Sequence, residues 1–225
     1  MTTATAAPTV RRRTLTPALC GAAAVLACGM IAVGLAAGAA PDERWQLAAR
    51  YTARLAFLLF MPVYVASAWN RLAPSAGSRW VMKRRRSLGL AFATTHTIHL
   101  GALTTYNVVA GTVPDPATLI VGGGAFVTLY AMVLTSNDAA VRRLGGRRWQ
   151  SLHRFGMHYL WFVFAFSYAG RVLGGKLEFA PLLALALAGL GLRITARAVS
   201  QGRPNGRVPS IRHASTGAQD GSSAR

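Results

Sequence analysis

The chain has 225 residues, of which 52% are hydrophobic and only 14% charged, well under the roughly 25% charged of a soluble domain. Its 25 Lys and Arg stand against 6 Asp and Glu, for a net charge of +19. In a soluble protein that imbalance would point to nucleic acid; here the basic residues lie between long apolar blocks, so membrane topology explains the charge and no nucleic-acid partner is expected.

Residues 1–16 form a basic N-terminal segment with Arg11, Arg12 and Arg13. The first apolar block, 17–40, holds both cysteines, Cys20 and Cys28, which make no CxxC motif and read as small apolar side chains. The arginines, the apolar run and Ala37-Gly38-Ala39 together resemble a cleavable signal peptide. The run is longer than a usual signal core, however, and is expected to stay as a first span. Further blocks follow at 51–69, 88–110, 117–135, 152–172 and 179–199. Each can cross a hydrocarbon core of roughly 30 Å at a rise of 1.5 Å per residue, and none alternates in polarity as a barrel strand would. The predicted fold is an all-α integral membrane protein: a six-transmembrane-helix bundle over 17–199, multi-pass in the lipid bilayer of the inner (plasma) membrane.

Basic residues alternate from side to side. Arg71, Arg79, Lys83, Arg84, Arg85 and Arg86 lie after the second block, and Arg142, Arg143, Arg147 and Arg148 after the fourth. The opposite side carries Arg44, Arg50, Arg171 and Lys176. By the positive-inside rule both termini are cytoplasmic. Residues 200–225, rich in Gly, Ser, Pro and Arg and carrying His213, are expected to form a disordered basic tail. No GxGxxG or P-loop occurs, so a nucleotide- or flavin-binding domain is expected on another chain.

All six acids fall outside the spans, whereas four of the five histidines fall in two of them: His96 and His99 in the third, His153 and His158 in the fifth. Intramembrane polar residues are costly and mark function. His96 and His99 are three apart and share a helix face. Counted from the cytoplasmic end they sit about 12 and 17 Å deep, and His158 is about 7 Å deeper than His153. That count predicts that the deeper histidines of the two spans lie level, as axial ligands of one low-spin haem must. A bare divalent ion would call for carboxylates or thiolates, whereas ferrous porphyrin needs only neutral ligands. On the fifth span His153 and His158 point about 140° apart, so only one of them can face a given iron.

Arg85-Arg86-Ser87-Leu88-Gly89-Leu90 with His99, the run Leu134-Thr135-Ser136-Asn137-Asp138, then Arg142-Arg143-Leu144-Gly145 and Trp149-Gln150-Ser151-Leu152-His153-Arg154, resemble ferric reductase-like transmembrane domains. Within that family the likeness is greatest to haem-binding membrane subunits of bacterial methionine sulfoxide reductase systems. Thr52, Arg54, Leu55 and Ala56 are a fainter match, and the resemblance spans a core of about 50–172. It implies six spans, non-covalent haem b and transmembrane electron transfer. The donor would be a cytoplasm-side flavin, quinol or partner reductase, so a redox partner protein is expected. By position His99 matches the third-helix ligand and His153 the first fifth-helix histidine. The second fifth-helix histidine is replaced by Phe166, while His158 and His96 are additional. Arg154, with Arg84, Arg85, Arg86, Arg147 and Arg148, is a candidate partner for haem propionates or a flavin phosphate.

The function expected is a haem-binding electron-transfer subunit, an oxidoreductase component that needs a partner chain, with His99, His158 and His153 as candidate iron ligands. The alternatives are a histidine-based ion or proton transporter, and a relative of the same fold with a degenerate haem site.

Overall fold

A computed structural model describes residues 15–201; the basic N-terminal arginines, the tail and its His213 lie outside the described residues. Seven α-helices and no strand are found among the described residues: α1 (Leu15–Ala37), α2 (Pro41–Leu72), α3 (Ala76–Val109), α4 (Pro116–Leu134), α5 (Asp138–Leu144), α6 (Gly146–Leu173) and α7 (Ala180–Gln201), the last preceded by a 3₁₀ turn at Leu177–Phe179.

Local chemistry sets these boundaries. Ser75 and Ser78 form a reciprocal capping box at the start of α3. Asp115 caps α4 ahead of Pro116, and hydrogen bonds from the Thr118 hydroxyl and amide hold its carboxyl below the usual carboxylate range. Gly145, at a φ of 76°, makes the left-handed turn that separates α5 from α6. The expected loop after the second span is thus mostly helix: α3 begins at Ala76, so Arg79, Lys83, Arg84, Arg85 and Arg86 ride on its first turns.

Four helices, α1, α2, α4 and the segment Leu177–Gln201, are long and apolar enough to cross a membrane. This is the build of a membrane protein, and apolar side chains such as Val25, Val127 and Leu134 point outward from the bundle. α3 and α6, at 34 and 28 residues, are long enough but less apolar. They are the helices that carry the histidines, and α3 also carries a row of threonines whose hydroxyls return to the carbonyl four residues back.

α2 and α3 pack as an extended antiparallel pair, with α1 against both. At Gly34 the α1 backbone meets that of Ala48, where any side chain would collide. α6 packs on α4 and α7, and α7 returns to α2. α3 and α6 are not closely packed on one another. Aromatic rings fill the space between them: Phe57 and Phe60 of α2, Phe92 of α3 and Phe164 of α6, with ring centroids 5.2–5.7 Å apart in successive pairs.

Candidate haem site and inner cavity

His99 lies on the face of α3 turned to α2, and its Nδ1 is 3.2 Å from the Thr52 hydroxyl. That hydroxyl is fully buried and lies 2.8 Å from the Ala48 carbonyl, to which it donates. It therefore accepts from His99, and the network assigns the proton to Nδ1. The Nε2 lone pair is left free, which is the tautomer a metal-ligating imidazole needs.

His96, one turn earlier, is buried among rings: Phe126 at 4.6 Å, Phe92 at 5.4 Å, Phe164 at 5.5 Å and His99 at 5.3 Å between centroids. Its Nδ1 has no hydrogen-bond partner among the described residues. A buried polar atom without a partner calls for a missing one.

The histidines of α6 face other helices. His153 stacks on Trp149 at 4.3 Å, and its Nε2 is 3.2 Å from the Thr135 hydroxyl of α4. Thr135 donates to the Ala131 carbonyl at 2.7 Å, so it accepts from Nε2–H, and His153 presents Nδ1. His158 spends Nδ1 on the Arg154 carbonyl at 2.7 Å and meets the edge of Tyr64 on α2 at 5.8 Å.

These contacts correct the expected levels. His99 touches α2 at Thr52 and His158 touches it at Tyr64, twelve residues further along. At 1.5 Å per residue that is about 18 Å, too far for both imidazoles to meet one iron. Counting from assumed membrane edges fails because interlocked aromatic rings set the register of α6 against α3: Phe164, six residues past His158, is the ring that reaches His96. Phe166, at the position of the missing histidine, stacks on Phe162 and is 62% exposed on the outer face.

His153 instead opens onto a cavity of about 770 Å³ among α2, α3, α4, α6 and α7, at the end of the bundle that carries Arg86 and Asp138, within the usual size range of a small-molecule site. Phe60, Phe92, Leu129 and Val133 form its apolar floor, and Lys83, Arg85, Arg154 and Arg193 its basic rim. Its single acid, Asp138, pairs with Arg86 at 3.4 Å. Trp149 lines it and donates to the Thr135 carbonyl at 2.9 Å. Tyr159 and Trp161 lie elsewhere and donate to the carbonyls of Val121 and Ala186; Gly124 lacks the Cβ that would strike the Tyr159 hydroxyl. Arg84 lies over the Trp80 ring instead of facing the cavity.

The donor set fits a porphyrin iron better than a bare cation. Among the described residues no three His, Cys, Asp or Glu side chains converge. What is offered is His99, oriented by Thr52, with His96 buried beside it and aromatic walls; His158, with Nδ1 on the Arg154 carbonyl, also leaves Nε2 free but stands at the level of Tyr64. Sequence reading noted Thr52 and Thr135 only through resemblance, since a threonine inside a span most often bonds its own helix.

Comparison with known proteins finds relatives that resemble part of this chain. The protein-methionine-sulfoxide reductase heme-binding subunit MsrQ of Azospira oryzae is 36% identical over 105 residues, covering 39% of this chain and 44% of that protein. MsrQ of Ralstonia nicotianae is 38% identical over 103 residues (38% of this chain, 46% of that protein), and MsrQ of Deinococcus radiodurans 34% over 130 residues (52% and 59%). The chain spans about half the length of the curated relatives it matches. No family model and no solved structure matches it. The chain is thus similar, over 38% to 52% of its own length, to heme-binding subunits of protein-methionine-sulfoxide reductases.

Proposed function

We propose that this protein is a haem b-binding transmembrane subunit that passes electrons from a cytoplasm-side donor to an extracytoplasmic acceptor. The observation that carries this reading is His99, half-buried in the bundle with Nδ1 committed to Thr52 and Nε2 free. The bound haem would supply a one-electron carrier at the iron. The protein's share is orientation and exclusion of water: Thr52 fixes the His99 tautomer and ring plane, and Phe92, Phe126 and Phe164 close the site around His96.

The cavity beside His153 suits the donor. Its apolar floor and basic rim match an aromatic head carrying negative charge, such as a flavin phosphate, or a quinol. Six crossings, with α3 and α6 included and both termini cytoplasmic in the inner membrane, put that cavity on the donor side. The arginines on the first turns of α3 support this orientation. The name of the relatives makes a methionine sulfoxide reductase the first acceptor to test. A histidine-based ion or proton transporter finds less support, because among the described residues no three ligating side chains converge.

The test is the absorbance of detergent-purified protein, oxidised and dithionite-reduced. A Soret band that shifts on reduction and a haem extractable by acid-acetone are expected, since no CxxCH is present for covalent attachment. A colourless preparation from haem-replete cells would overturn the reading.

A further inference from the structure

At the outer end of the bundle two guanidinium groups converge on one buried ring. Arg54 of α2 lies 4.7 Å from the centroid of Phe179 and Arg171 of α6 lies 4.8 Å from it, while Tyr168 stacks on the same ring at 6.1 Å. Phe179 is fully buried and Tyr168 nearly so. Two positive charges drawn to one spot repel, and cation–π contact alone offsets that weakly.

The polar inventory there is incomplete. The Tyr168 hydroxyl and the Arg54 Nε are buried and lack a hydrogen-bond partner among the described residues. Glu178 is the neighbouring acid, yet the one ion pair among the described residues is Arg86–Asp138 at the other end. The buried Tyr168 hydroxyl and Arg54 Nε, both short of an acceptor, stand with the exposed guanidinium of Arg171 and together form a receptor for a carboxylate. The cluster also lies close to the level of His99 along the bundle. Thr52, the partner of His99, is two residues from Arg54 on α2, whereas the inner cavity lies about 18 Å away along that helix, near Tyr64.

We infer that Arg54, Arg171 and the Tyr168 hydroxyl are the carboxylate site of this protein, and that they take the propionates of the haem held by His99. The inference rests on the haem reading above. It moves the propionate partners from the inner arginines, where sequence position placed them, to the outer end. Each propionate brings a negative charge to a guanidinium that forms no ion pair among the described residues, and the tyrosine hydroxyl donates to a carboxylate oxygen. The outer arginines then have a role beyond topology, and the inner arginines are left to the donor cavity.

The test titrates haem-free protein in detergent with haem b and with haem b dimethyl ester, which keeps the iron and ring but removes both negative charges. The wild type is expected to hold haem more tightly than the ester by about tenfold or more. Arg54→Gln and Arg171→Gln should each bring that ratio towards one while leaving ester affinity unchanged, so the ester reports in the same sample that the fold and His99 are intact. Tyr168→Phe should have the same effect to a smaller degree. Equal affinity of the wild type for haem and ester overturns the inference and leaves the haem reading standing. So does discrimination that survives both arginine substitutions but disappears in Arg85→Gln. Uptake of neither porphyrin by the wild type overturns the haem reading itself, and the inference with it.

Discussion

His99 and His153, towards the two ends of the bundle, are held in opposite ways. At one end His96 is buried among aromatic rings, and Thr52 leaves the half-buried His99 with its Nε2 lone pair free. At the other end His153 borders an open basic cavity, and Thr135 takes its Nε2–H, leaving only Nδ1. The same pairing, a threonine that donates to its own helix and accepts from an imidazole, thus fixes opposite tautomers. Nδ1 is flanked by the Cβ substituent and meets a flat porphyrin poorly, whereas Nε2 is unhindered. The comparison teaches that a histidine's partner, more than its depth, decides whether it can ligate haem.

The largest effect expected from this difference is on haem content. His99→Ala should abolish haem binding, measured by pyridine haemochrome per protein, while His153→Ala should leave it close to wild type. Loss of haem in both variants would mean that the inner histidine reaches the iron after all and that α6 sits at another level when haem is present. The ligation state is the next way to break the contrast. At the level of His96 and His99, α6 offers Phe164 and Tyr168 and no histidine. The reduced haem should therefore be five-coordinate and bind carbon monoxide with a sharpened Soret band. Sharp low-spin α and β bands that ignore carbon monoxide would restore a bis-histidine site.

A smaller effect separates the two threonines. Thr52→Val keeps shape but removes the acceptor that orients His99, and haem affinity should fall by roughly 10–100-fold, the usual scale for outer-shell partners of a metal ligand. Thr135→Val should leave haem affinity unchanged. Titration of the haem-free variants checks both, and equal losses would erase the distinction between the two ends.

Much of this was legible in the sequence, and what was not has a physical cause. Apolar block length marked the four helices that are apolar enough to cross a membrane, because a bilayer sets a minimum helix length and the composition that fills it. The absence of acids and the clustering of four histidines in two spans pointed to a neutral-ligand site. Relative depth was not legible. α3 starts at Ala76, twelve residues before its first long apolar stretch at Leu88, so the start of that stretch does not fix its height against α6. That height depends on contacts between Phe60, Phe92 and Phe164, which come from three helices. The outer arginines were read only as topology and resemblance, because Arg54, Arg171 and Phe179 are far apart in the chain and only packing brings them together.

The smallest effect expected is electrostatic and belongs to the inner end. Arg154 and Arg85 stand on the rim of the cavity, and neither forms an ion pair among the described residues. An anionic donor approaching that rim is guided by their field, which salt screens over about 8 Å at physiological ionic strength. With reduced flavin mononucleotide as the probe, the rate of haem reduction should fall as salt rises. Arg154→Gln should slow reduction by a few-fold at low salt and flatten that dependence, because one guanidinium supplies only part of the field. Haem content and the discrimination between haem and its dimethyl ester should stay as in wild type, since those belong to the other end. Arg171→Gln should do the reverse, weakening haem retention without changing the salt slope of reduction. If Arg154→Gln lowers haem content instead, the inner arginines serve the haem and the two ends are not functionally separate. If it leaves both rate and salt slope untouched, the donor enters elsewhere and the cavity beside His153 has another role.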